Sequence, residues 1–189
     1  MRILGVDPGS WRTGAGVIEI QGSQCRLVHV EVVTIKNALA VPQRLRRIYE
    51  ALGEVIERFS PDVMALENVF FGKDVTALVR IGEARAVAML AASKRDIPVV
   101  EYPPARVKQS ISGNGRASKE QMQHMVKNLL KLQSAPPSDG ADALAVAICH
   151  AHATKAEQVI TEAQKKLQAI LGKKRKRKRN VLLSYRKSG

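Results

Sequence analysis

A chain of 189 residues is long enough for one domain of about 150 residues with a sizeable buried core, plus a remainder. Its 45% apolar residues include no run near the ~20 needed to span a bilayer, and no signal-peptide pattern precedes the first apolar segment, so the expectation is a cytoplasmic protein. The formal charge of +14 is uneven: nine of the 31 basic residues follow Gly172 with no acid among them, leaving a body of 22 basic and 17 acidic groups whose sign favours polyanions such as DNA or RNA.

The chain opens with a short apolar run, Ile3-Leu4-Gly5-Val6, that ends on Asp7 and breaks at Pro8-Gly9. Residues 2 to 6 read as a buried strand with a carboxylate at its C-terminal tip, the place where open α/β sheets bind ligands. Asp, Pro and Gly also favour turns for backbone reasons of their own, so Asp7 alone does not separate a turn from a site. Thr13 to Ile20 and Cys25 to Ile35 are β-branched runs joined by a short polar link, and they extend the first strand into an antiparallel meander. Leu27, Val30, Val32 and Val33 do not alternate cleanly, which places a bulge or twist among them.

Leu45, Ile48, Leu52, Val55, Ile56 and Phe59 recur at helical spacing behind Pro42, predicting an amphipathic crossover helix over 42–59. After Ser60-Pro61, Asp62 to Leu66 is a short strand that terminates on Glu67, a second acid at a strand tip. A helical crossover makes this strand parallel to a neighbour, and a right-handed connection lays it beside the first. Ala77, Ile81, Ala84, Ala88 and Ala91 mark a helix over 74–95 with a seam of small residues. That seam suits either packing within the chain or a second subunit, and helix 74–95 is the candidate dimer interface.

Pro98 to Tyr102 is a further strand, followed by a short helix near Val107 and a Gly113-Asn114-Gly115-Arg116 loop expected to be mobile. Ser118 and Gln121 have capping-box spacing and open a helix reaching about Leu132. The last helix begins at Ser138 with Asp139 and Asp142 three apart on one face. Past about residue 155 the pattern turns polar, and Lys173 to Arg179 is an unbroken basic run expected to be a disordered arm. The division is therefore 1–155 for the folded domain and 156–189 for the extension. Deleting the arm is expected to weaken polyanion binding in a salt-dependent way. Cys25 and Cys149 have no CxxC spacing and point to neither a disulfide framework nor a zinc site, and His150 and His152, two apart on a helix, face different sides.

The order β-β-β-α-β-α-β followed by helices, with acids at two strand tips and on the closing helix, resembles the RuvC family of Holliday junction resolvases. Five blocks carry the resemblance in order: Ile3 to Ser10, Leu66-Glu67-Asn68-Val69-Phe70, Val107-Lys108-Gln109, Gln123 to Val126, and Asp139 to Ala145. It implies a ribonuclease H-like α/β fold, a mixed five-stranded sheet flanked by helices. It also implies an endonuclease that nicks four-way DNA junctions symmetrically during recombination and repair. The family's four metal-binding carboxylates fall on Asp7, Glu67, Asp139 and Asp142. Phe70 matches its base-contacting position, while Lys108 and Lys119 match its DNA-binding lysines. The resemblance further implies magnesium, two ions per subunit with manganese as a substitute, a homodimer, and delivery of the junction by a RuvA/RuvB-type branch-migration complex.

Chemistry accounts for such a cluster. Magnesium prefers oxygen ligands and keeps several waters, and two ions roughly 4 Å apart clamp an in-line displacement at phosphorus. Four acids without a cation repel one another, and their pKa values rise. Arg116, in the loop beside Lys119, is a further candidate phosphate contact, and Phe71 doubles Phe70 in a chain with only 4% aromatics. Two readings compete: a phosphotransferase of the actin and sugar-kinase type, which needs a second lobe this length does not supply, and a non-catalytic nucleic-acid scaffold, which leaves the four acids without a purpose.

Overall fold

The computed structural model describes residues 1–9, 11–22, 24–35, 39–68 and 74–185, with side chains described to residue 165. Strands β1 (Arg2–Pro8), β2 (Arg12–Gln21) and β3 (Gln24–Thr34) are followed by helix α1 (Val41–Phe59), strand β4 (Val63–Glu67), helix α2 (Val75–Ser93) and strand β5 (Val99–Tyr102). Helices α3 (Pro104–Ser112), α4 (Lys119–Leu129) and α5 (Ser138–Tyr185) complete the order. The chain divides into two units, Met1–His152 and Ala153–Gly189. In the second, α5 stays helical through the basic run to Tyr185, where sequence reading expected an unstructured arm. Lys and Arg are good helix formers, so local backbone preference does not oppose that continuation.

The sheet order is β3-β2-β1-β4-β5. β1, β2 and β3 pair antiparallel through short connections, whereas β4 and β5 return by the α1 and α2 crossovers and pair parallel to β1 and β4. β1 is central and buried on both faces: Ile3, Leu4 and Val6 are all fully buried. The irregularity expected in β3 is a bulge at Val28, because Val17 pairs with His29 while Ile18 pairs with Leu27.

One face of the sheet is covered by α1 and α2. Leu4, Val6, Ala15 and Val17 from the strands meet Ile48, Leu52, Val55 and Ile56 of α1, and Ala84, Ala88 and Ala91 of α2, in one apolar cluster. The small-residue seam of α2 therefore packs within the chain, letting α1 and the sheet approach closely. The residues α2 leaves exposed are others: Val75, Val79 and Leu90, between 55% and 68% accessible. Buried Arg44 of α1 is paired with Glu83 of α2, as a charge removed from water must be.

The opposite face is made for α5. A Cβ on Gly5 would stand 2.0 Å from the Ala143 carbonyl oxygen, one on Gly14 would stand 2.0 Å from that of Asp139, and one on Gly16 would meet the Leu144 side chain at 2.7 Å. Glycines at these positions let the first turns of α5 lie directly on β1 and β2, burying Ala143, Leu144, Ala147 and Ile148. Side chains alternate across a strand, so Asp7 shares the face of Gly5, and Glu67 shares that of Ala65, the β4 residue opposite Gly5. Both acids consequently face the start of α5.

Candidate metal centre

Val6 pairs with Leu66 in the parallel register, which sets Asp7 and Glu67 abreast at the tips of adjacent strands. Asp139 and Asp142 come down onto them from the first turns of α5, where negative charge is also favoured by the helix dipole. One oxygen from each of Asp7, Asp139 and Asp142 lies within 4.8 Å of the others. Glu67 stands beside this trio, hydrogen-bonded to Asp7. All four predicted carboxylates thus meet at one place.

The electrostatics are those of anions crowded together out of water. Burial, then the Asp142 charge, pushes Asp7 up to about 6. Burial, then the Asp7 charge and its hydrogen bond, pushes Glu67 up to about 8. Basic side chains compensate in part, and two of them act on Asp139: Lys119 Nζ is 3.6 Å from its Oδ1 and an Arg12 guanidinium nitrogen is 3.6 Å from its Oδ2. Lys119 also lies 3.1 Å from Asp142 Oδ2. Burial alone would lower the Lys119 pKa, but the Asp142 and Asp139 carboxylates outweigh it and leave it raised.

Lys119 is placed by the predicted capping box. Ser118 Oγ accepts from the Gln121 amide at 3.2 Å, and Gln121 Oε1 accepts from the Ser118 amide at 3.0 Å, which fixes the start of α4 with Lys119 as its first residue. Lys108 of α3 joins Lys119, Glu67 and Asp142 in lining a cavity of about 270 Å³ and tends to lower the Glu67 pKa. Arg116 does not line this cavity. Its turn, expected to be mobile, is tied by hydrogen bonds, with Ser112 Oγ donating to the Asn114 carbonyl and the Arg116 amide donating to Asn114 Oδ1. Phe70 and Phe71 lie outside the described residues. The two histidines are engaged separately, His150 with the Tyr102 hydroxyl at 2.8 Å and His152 with the Ser110 hydroxyl at 3.0 Å, so they do not form a zinc pair.

Arg12 is the site residue that sequence reading missed. The signal was present: in a hairpin pairing Pro8 with Thr13 and Asp7 with Gly14, residue 12 shares the face of residue 14 and points back at the acids. Asp139 is not acting as a helix cap, since among the described residues its carboxylate pairs with the two cations and accepts from no backbone amide.

A ribonuclease H-like sheet that converges carboxylates at adjacent strand tips under a glycine-seated helix defines a class, the metal-dependent phosphodiester hydrolases of that fold. Comparisons narrow the class. Residues 3–150 match the family described as crossover junction endodeoxyribonuclease RuvC. The chain is 51% identical over 162 residues to the RuvC of Thermotoga petrophila, covering 84% of this chain and 97% of that one. It is 50% identical over 151 residues to that of Proteus mirabilis, covering 79% and 86%. The structure of Thermus thermophilus RuvC in complex with a Holliday junction substrate superposes with a TM-score of 0.79 at 37% identity, over 83% of this chain and 96% of that one. This chain belongs to the RuvC family, as the sequence blocks implied. Neither the phosphotransferase nor the scaffold reading is favoured.

Proposed function

We propose that this chain resolves four-way DNA junctions by symmetric, magnesium-dependent nicking, in homologous recombination and DNA repair in the cytoplasm. The observation that carries the reading is the meeting of Asp7, Asp139 and Asp142 within 4.8 Å, with Glu67 at their side, in a chain that matches RuvC across residues 3–150.

The donor set fits the metal. Hard carboxylate oxygens, no sulfur and no imidazole in the group suit magnesium, with manganese as a substitute. Asp7, Glu67, Asp139 and Asp142 would hold the ions, two per subunit. When bound, such ions activate water and stabilise charge at a scissile phosphodiester. The chain's own residues do the rest. Asp7 and Glu67, both with raised pKa values, would be deprotonated to serve as ligands. Lys108 and Lys119, on the wall of the same cavity, hold the phosphate backbone, and Arg116 and Phe70 extend contact along the DNA. The basic run after Gly172 adds affinity through counterion release.

Two symmetric cuts need two sites. Val75, Val79, Gly82, Ala86 and Leu90 fall on one face of α2, and among the described residues nothing lies within 4 Å of where a Gly82 Cβ would be, so this apolar stripe is offered to the same stripe of a second copy. We place the homodimer contact there, within the 74–95 segment. A RuvA/RuvB-type complex is the class of machine that would deliver the junction. The test is a nicking assay on a synthetic mobile junction: paired, symmetric nicks with magnesium and none with chelator are expected. Intact junctions under both conditions would end the reading.

A further inference from the structure

Of the cations so far assigned to DNA, those before α5, Lys108, Arg116 and Lys119, all belong to the α3–α4 segment. The turn between β1 and β2 brings another set. Arg12 reaches the second oxygen of Asp139, the one Lys119 does not take, and its side chain is 65% exposed. Trp11, the chain's single tryptophan, is half-buried, its backbone fastened by the Ile35 amide donating to its carbonyl at 2.9 Å. Across its ring lies Arg80 of α2, with the guanidinium carbon 4.7 Å from the ring centroid. Among the described residues no carboxylate pairs with Arg80, unlike Arg44, Arg85 and Arg95, each of which has a glutamate.

A guanidinium lying over an aromatic ring is oriented by the cation–π contact while its N–H edges stay free. Those edges match phosphate oxygens in a way an ammonium does not. Arg80 is thus oriented by the ring of Trp11, four residues beyond Asp7, and with no carboxylate partner among the described residues its charge is available to an anion. Resting on the junction-cleavage reading, we infer that Trp11, Arg12 and Arg80 form a second phosphate-contact patch. It takes the DNA backbone on the β1–β2 side of the metal centre, with Arg12 and Arg80 binding phosphates and Trp11 positioning Arg80.

Because Trp11 is the only tryptophan, its fluorescence reports this patch alone. The full-length chain is titrated with a dye-labelled four-way junction in chelator, so that no strand is cut, following label anisotropy and tryptophan emission together. Junction binding with a saturable change in Trp11 emission is expected. Arg80→Gln should weaken binding about tenfold and lower the salt slope by about one phosphate contact. Trp11→Ala should do the same, and Trp11→Phe, which keeps a ring under the guanidinium, should restore it. Far-UV circular dichroism and manganese titration should be unchanged in all three, separating lost contact from lost fold. If the junction binds while Trp11 emission stays flat and Arg80→Gln keeps the wild-type affinity and slope, the patch is overturned and the cleavage reading stands. If no junction binds the wild-type chain, both fall.

Discussion

Lys119 and Asp142 meet at 3.1 Å through Nζ and Oδ2, so among the described residues the cation nearest these carboxylates is one of the chain's own lysines. A divalent ion must displace it. Lys119→Met should therefore bind manganese several-fold more tightly by calorimetry while binding the junction more weakly by anisotropy. Parallel losses of both affinities would mean that Lys119 serves the fold of the site rather than competing for it.

Asp7 is the carboxylate common to the strand tip, the trio and the hydrogen bond with Glu67. Asp7→Asn should retain junction binding and lose cleavage by several orders of magnitude in a nicking assay. The same change removes a buried negative charge and should raise the melting temperature in chelator at alkaline pH. Normal cutting by this variant would remove the central assignment.

A carboxyl with a raised pKa holds its proton more tightly in the folded chain than in the unfolded one. The destabilisation is absent below the ordinary values near 4, grows as pH rises, and is complete above about 6 for Asp7 and about 8 for Glu67. In chelator, stability attributable to this pair should accordingly fall with rising pH across that window. Divalent ions require the deprotonated ligands, so their stabilisation should grow over the same window. At a hundredfold excess over Kd it should reach about 2.7 kcal/mol, roughly 5–10 °C for a chain of this size. Scanning calorimetry with and without magnesium checks both slopes.

Gly14→Ala would put a Cβ 2.0 Å from the Asp139 carbonyl oxygen. Backbone cannot yield as a flexible side chain does, so α5 must lift from β2 and carry Asp139 and Asp142 with it. A loss of about 1–3 kcal/mol in urea unfolding is expected, together with weakened manganese binding. A variant that lost stability but kept wild-type metal affinity would show that the acids do not depend on this close seat.

Val79 lies on the α2 stripe and is 55% exposed. Val79→Asp should leave the melting temperature of a monomer nearly unchanged and shift the particle from dimer to monomer in light scattering. Symmetric nicking should give way to single, uncoupled nicks.

Periodicity made α1 and the strands readable because their apolar residues face one layer each, as with Ile48, Leu52, Val55 and Ile56. Asp7 and Glu67 were readable as acids at strand tips and Asp139 and Asp142 as a pair on one helix face, while the resemblance to the RuvC family was what joined the four into one metal site. The partner of the α2 alanines was not. A small-residue seam looks the same in sequence whether α1 or a second subunit lies against it, and only the assembled layers show Ala84, Ala88 and Ala91 buried in cis. Arg12 was missed for a related reason, since its approach to Asp139 depends on strand register, a property of pairs of segments.

The parallel pairing that sets Asp7 abreast of Glu67 joins segments made far apart in time during synthesis, and Asp139 and Asp142, the other two proposed ligands, arrive only with α5. No shorter nascent fragment holds the whole set. Divalent ions thus reward only the finished topology, and a half-translated chain carries no assembled cutting centre to turn loose on the chromosome.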